Sequence, residues 1–316
     1  MKWIGGIAFM VLWSLCASSL PASSRDSATE YVGAMLCGAG TDEFLGQPAA
    51  NASCHCIRWQ LTLATNRNIG PGFTLSARYR VAARTNPNQS EDGPEVTARG
   101  KWEMLKGVKT DPNGVVYRLT AEGSGRSLSF VKIGEHCLHL LVADGSLAVG
   151  NGGWSYTLHR ADRAEKLVDA AVPISAPDMS YQISPLAKGP SVFGVFEGRS
   201  PCHGIAGELK MAQHAGCTKA KWRVTLFQDP ETSVPTTYKI EGTLFRRTPR
   251  EGSWVSGRGA AKDPNATVYE LKGAGTQPPL LLLKGDDNVL FFLNANRGPM
   301  VGNAEFSYTL NRRPAE

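Results

Sequence analysis

Several features that mark enzymes and nucleic-acid-binding proteins are missing from this sequence of 316 residues. It has no Gly-x-Ser-x-Gly elbow, no His-Glu-x-x-His zinc motif and no phosphate-binding loop, so nothing in it indicates the common hydrolases or nucleotide-binding enzymes. Lysines and arginines are scattered, and the formal net charge is only +6, which argues against a nucleic-acid-binding surface. We therefore expect a protein that is not an enzyme and has no nucleic-acid partner.

Long hydrophobic runs are also scarce, and the clearest one is too short to cross a membrane. Lys2 is followed by the apolar stretch 4–15 and then by small residues, which is the pattern of a secretory signal peptide. We assign residues 1–22 to this signal and expect a periplasmic or secreted protein. Cys16 leaves a second option open, because a lipid attached there would make the protein an outer-membrane lipoprotein and give it membrane contact.

What the sequence does contain is an internal duplication, since residues 100–160 return without a gap as residues 252–312. The matched motifs are Asp-Pro-Asn (111–113 and 263–265), Val-Gly-Asn (149–151 and 301–303) and Ser-Tyr-Thr-Leu (155–158 and 307–310). The length also suits two domains. We predict a first repeat at 31–160, a Pro-rich linker at 161–192 and a second repeat at 193–312.

Each repeat alternates apolar and polar residues over short segments that turn residues separate. Trp222, Val224 and Leu226 share one face of such a segment, and residues 59–63 repeat the pattern in the first copy. This period of two indicates half-buried strands. About eight evenly spaced strands in each repeat favour a closed up-and-down barrel or a sandwich.

Six cysteines lie outside the N-terminal segment, and the repeat predicts partners for four of them. Each copy carries its own matched pair, as expected for an exported protein: Cys37 with Cys54, and Cys202 with Cys217. Cys56 and Cys137 have no counterpart in the second copy. Because they occur together in one copy, they are candidates for a third disulfide.

The same two cysteines are also candidates for a metal site. Cys56 follows His55, and Cys137 lies between His136 and His139. Thiolates and imidazoles together suit copper or zinc. The sequence leaves both interpretations open, and only the second requires a metal cofactor.

Four tryptophans recur at matched places in the two repeats: Trp59, Trp102, Trp222 and Trp254. An eight-stranded barrel is wide enough either to be filled by its own side chains or to hold one small ligand. These tryptophans therefore line a ligand cavity or form an ordinary core, and the sequence alone does not separate the two.

The second repeat also carries two longer motifs. They are Phe-Glu-Gly-Arg-x-Pro-Cys at 196–202 and Gly-Asn-x-x-Phe-Ser-Tyr-Thr-Leu-x-Arg at 302–312. With the Trp-containing strand between them, they resemble the NlpE-type domain of bacterial envelope proteins, a lipocalin-like antiparallel barrel. The resemblance implies an all-β fold of two tandem lipocalin-like barrels, each with a short helix or loop tied by a disulfide.

One departure from that family affects the expected function. The family's Cys-x-x-Cys is absent, because Cys202 is followed by His-Gly-Ile-Ala, so copper binding does not carry over with it. We expect an exported, non-enzymatic protein that binds a small apolar ligand or has an envelope-stress or metal-related role. The alternative is a structural or protein-interaction module of the cell envelope, with filled barrels and an envelope protein as its partner.

Overall fold

The computed structural model describes Met1 and residues 27–46, 54–66, 70–82, 90–109, 111–167, 185–212 and 216–314. The rest of the predicted signal peptide, Cys16 and positions 168–184 of the predicted linker lie outside the described residues. None of the helices in the described part of the chain has the length and apolarity needed to span a bilayer.

The first half of the chain forms a closed barrel of eight antiparallel strands in sequential order, with the last strand paired to the first. A short helix, α1 (Thr41–Phe44), lies between the first two strands. The strands are β1 (Ser27–Met35), β2 (Cys54–Asn66), β3 (Gly70–Ala82), β4 (Ser90–Val108), β5 (Asp111–Ala121), β6 (Ser127–Ile133), β7 (Cys137–Leu141) and β8 (Thr157–Arg160).

The second half repeats this architecture, which confirms the predicted all-β fold of two tandem barrels. A helix, α2 (Cys202–Glu208), again follows the first strand, and a 3₁₀ turn occupies Thr243–Phe245. The strands are β9 (Val192–Pro201), β10 (Lys219–Gln228), β11 (Pro235–Gly242), β12 (Arg250–Ala260), β13 (Asp263–Gly273), β14 (Leu280–Lys284), β15 (Val289–Leu293) and β16 (Thr309–Arg312).

Large side chains fill the interior of both barrels. On β2, Ile57, Trp59 and Leu61 point inward and are at most 2% exposed, because alternate residues of a strand face opposite sides. Trp102 and Trp254 are fixed by matching hydrogen bonds. The indole Nε1 of Trp102 donates to the Ala64 carbonyl oxygen at 3.0 Å, and that of Trp254 donates to the Phe227 carbonyl oxygen at 2.6 Å. The matched tryptophans are therefore packed into the two cores.

Each barrel has the local disulfide that the repeat predicts, Cys37–Cys54 in the first and Cys202–Cys217 in the second. The first joins the connection after β1 to the start of β2, and the second joins the start of α2 to the segment just before β10. Closing loops of this size contributes roughly 3 kcal/mol by chain entropy.

The third disulfide, predicted between Cys56 and Cys137, is wrong: both are free, buried thiols. Cys56 lies on β2 and Cys137 on β7, and the closed sheet places β1 and β8 between them. At about 4.8 Å per strand the two strands are ~14 Å apart. A disulfide allows only about 4.4–6.8 Å between its Cα atoms.

Truncation of a core tryptophan should show how much the filled interior stabilises the fold. We expect Trp254→Ala to lower the free energy of unfolding by about 3–5 kcal/mol, because it leaves a cavity among buried side chains. The neighbouring Val255 is 44% exposed, so Val255→Ala should change it by only about 0.5 kcal/mol. Urea denaturation followed by fluorescence measures both, and equal effects would contradict a packed core.

Candidate binding groove between the barrels

The two barrels pack against each other through their outer walls. On β7, Leu138 and Leu140 point into the first barrel, so Cys137, His139 and Leu141 face outward. These outward residues do not reach solvent, because a separate apolar cluster joins them to β15 of the second barrel, where Val289 and Phe291 contribute to it. The interface therefore has a small hydrophobic core of its own.

A groove of about 920 Å³ opens where the barrels meet. Its walls include the tips of the β4–β5 and β12–β13 hairpins, which carry the duplicated Asp-Pro-Asn turns. In each turn the aspartate Oδ1 accepts a hydrogen bond from the backbone N–H of the asparagine, at 2.8 Å for Asp111 and Asn113 and 2.9 Å for Asp263 and Asn265. These side chains fix the shape of the walls, which is the usual role of Asp and Asn in turns.

The groove combines an apolar lining with a charged rim. Its apolar residues include Val108, Val131, Leu147 and Leu283. The rim holds two ion pairs: Lys262 of the second barrel with Glu135 of the first, and Lys284 with Asp287 at 2.7 Å. The hydrogen bond from Lys262 lowers the pKa of Glu135. A surface of this kind suits a partner with an apolar face and polar edges.

The structure does not assemble the predicted copper or zinc site. His55 and Cys56 lie on β2, whereas His136, Cys137 and His139 lie at or on β7, with two strands between the groups. His136 lines the groove. Among the residues that the structure describes, no group of three or more His, Cys, Asp or Glu side chains is arranged to hold a metal ion.

The ring nitrogens of His139 have hydrogen-bond partners within its own barrel. Its Nδ1 lies 2.9 Å from the Thr157 hydroxyl and its Nε2 lies 2.9 Å from the Ala148 carbonyl oxygen, so both ring nitrogens have partners. Its ring also meets Phe291 of the second barrel edge to face, with centroids 5.3 Å apart. Burial lowers the pKa of His139 to about 4. This histidine is a neutral interface residue.

His159 belongs to the same interface, and the sequence patterns did not single it out. Its Nδ1 accepts a hydrogen bond from the Gly302 N–H at 3.3 Å and lies 3.4 Å from the Cys137 thiol. Its Nε2 is buried without a hydrogen-bond partner in the described part of the chain. Burial lowers the pKa of His159 to about 3. The sequence signal that could have identified His159 is its position directly after the duplicated Ser-Tyr-Thr-Leu motif, where the second repeat has Asn311.

Both free cysteines face the second barrel. The Cys137 Sγ lies 3.8 Å from the Met300 carbonyl oxygen, and the electrostatic environment of Cys56 includes Glu305 and Arg199. Burial raises the pKa of each thiol to about 12. The thiols therefore remain protonated and are poor nucleophiles or metal ligands.

The chain matches no protein-family model, no curated protein and no solved structure. The resemblance to the NlpE-type domain thus stays a prediction from the motifs.

The buried imidazoles should make the fold sensitive to acid. The folded pKa values of His139 and His159 lie below the ordinary value of 6.5, so between about pH 6.5 and 4 the unfolded chain binds protons that the folded chain does not. Stability is then lost as pH falls, by up to about 1.4 kcal/mol per pH unit for each histidine.

We test this with His159→Asn, which installs the residue that the second repeat has at this place. Denaturation at pH 7, 6, 5 and 4 should show a shallower loss of unfolding free energy in the variant than in the original protein. Identical slopes would show that His159 is not held neutral in the fold.

Proposed function

We propose that this protein is an exported, non-enzymatic protein-interaction module of the cell envelope. Its filled barrels serve as a rigid scaffold, and the groove between them is the binding surface. The observation that carries the proposal is the contrast between two cores occupied by the protein's own side chains and a groove of about 920 Å³ outside them.

The contents of the barrels argue against a ligand bound inside. Trp254, Tyr238, Phe292 and Phe130 are among the largest fully buried side chains, and all belong to the two core clusters. A ligand inside either barrel would have to displace such aromatic side chains, each of which stabilises the fold by several kcal/mol when buried. An exterior surface carries no such cost.

Two observations support the envelope as the place of action. Each barrel holds a disulfide, which agrees with an oxidising compartment such as the periplasm or the extracellular space. The terminal motif at 302–312 resembles that of exported NlpE-type proteins, which would place the protein at the cell envelope.

The groove fits a segment of an envelope protein that has apolar side chains and polar edges. Val108, Leu147 and Leu283 offer the apolar contacts. The two ion pairs at the rim, Lys262 with Glu135 and Lys284 with Asp287, offer hydrogen bonds to a peptide backbone. A small apolar ligand is the second candidate, because the volume lies within the usual range of about 300–1,000 Å³ for small-molecule sites.

Site-specific photo-crosslinking in the native envelope tests the proposal. A benzoylphenylalanine at Asn265, on the groove wall, should crosslink to a discrete partner protein. The same group at Thr237, exposed on the outer wall of β11, should not. Leu283→Arg, which puts a charge into the groove, should abolish the crosslink, whereas Val255→Arg on an exposed position should leave it intact.

The outcomes separate the two candidates. A crosslink at Asn265 that Leu283→Arg removes supports the interaction module. Equal crosslinking at Thr237, or a crosslink that Leu283→Arg leaves unchanged, would refute the groove as the binding surface. A co-purifying small molecule seen by native mass spectrometry and lost in Leu283→Arg would instead favour the ligand-binding function.

A further inference from the structure

Residues at equivalent positions of the two repeats touch each other across the barrel interface. Thr157 and Thr309 are matched in the duplication, and their hydroxyl oxygens lie 2.9 Å apart. His139 and Phe291 are also matched, and their rings are in contact. A residue meets its own equivalent only on a two-fold axis, so these contacts mark a local two-fold axis between the barrels.

Hydrogen bonds away from this axis occur in reciprocal pairs. The Gly150 N–H donates to Asn311 Oδ1 at 2.7 Å, and in the opposite direction the Gly302 N–H donates to His159 Nδ1 at 3.3 Å. Gly150 matches Gly302, and His159 matches Asn311. Each barrel therefore presents the same donor and acceptor positions to the other, although the acceptor side chain differs.

The duplicated motifs explain how the chain builds these contacts. In each Val-Gly-Asn turn, a Cβ on the glycine would lie only 2.1 Å (Gly150) or 2.2 Å (Gly302) from a carbonyl oxygen of its own barrel, so no larger residue fits. The asparagine that follows, Asn151 or Asn303, accepts two backbone N–H groups and closes the turn. The turn then aims the glycine N–H at the other barrel.

The local two-fold axis also relates the two sides of the groove. Asp111 and Asp263, like Lys132 and Lys284, are equivalent pairs that line it from opposite sides. Its lining therefore depends on both barrels, and neither barrel alone would form it.

We propose that the two barrels are the covalently joined halves of a homodimer. The outer wall of β7–β8 and that of β15–β16 are then each a self-complementary surface, and the partner of each is a second copy of the same barrel. The linker is then not needed to hold the barrels together. Each half also fits a second copy of itself, because both copies carry the glycine donor and an acceptor at the matched place.

Cleavage of the linker in the complete protein tests this. A protease recognition sequence is inserted within 168–184, and the folded protein is cut. We expect the halves to co-elute as one particle at micromolar concentration. When two cut samples carrying different isotope labels on their second halves are mixed and left to exchange, native mass spectrometry should also detect pairs of two second halves.

Charges placed on the axis provide the disrupting variant. Thr157→Asp with Thr309→Asp puts two carboxylates in contact, and should weaken association of the cut halves on the order of 100-fold or more. Thr157→Asp with Thr309→Lys should restore much of it. The control is Thr74→Asp with Thr237→Asp, two exposed positions on β3 and β11, which should leave association unchanged.

Halves that separate on cutting at micromolar concentration would overturn the proposal. Halves that pair only with the other type, never with their own, would overturn self-complementarity. Near-ultraviolet circular dichroism reports whether each variant barrel stays folded, and the Asp–Lys pair keeps the test valid if the Asp–Asp pair is unstable. None of these readouts depends on the partner proposed for the groove.

Discussion

The close packing of β7–β8 against β15–β16 is the constraint on which the rest of the molecule depends. Thr157 and Thr309 bring the two sheets within hydrogen-bonding distance, and the apolar residues around them exclude water from the contact. This proximity sets the distance between the hairpin tips and therefore the shape of the groove. Each barrel has a core of its own, but the candidate site exists only where two barrels meet.

The barrels and their disulfides could be predicted from the sequence because both depend on local patterns. Alternation around Trp59 and Trp222 reports which face of a strand is buried, and matched cysteines report a short loop. The interface is different, because it joins outer faces that a barrel prediction assigns to solvent. One signal was available in the second repeat: Val289–Leu293 is apolar at every position, an unbroken apolar strand indicates burial on both faces, and the structure buries all five residues.

The duplicated turns have a role beyond the local one that their residue types indicate. Asp111 and Asn151 shape turns, as their residue types predict. Their wider role comes from where the turns lie. Because a local two-fold axis relates the two barrels, equivalent loops near that axis lie side by side. Ordinary turn residues from both barrels then form the walls of a shared groove. A single sequence does not contain that relation.

The asymmetry of the first repeat also has a packing explanation. Cys137 stands where the second repeat has Val289, and a protonated thiol is close to a small apolar side chain in its packing. Complete burial keeps the pKa of Cys137 near 12, so the reactive thiolate is scarce even in an oxidising compartment. Burial likewise raises the pKa of Cys56 to about 12, although Lys219 takes its place in the second repeat. Two unpaired cysteines are therefore compatible with the oxidising compartment proposed for this protein, because burial keeps both thiols protonated.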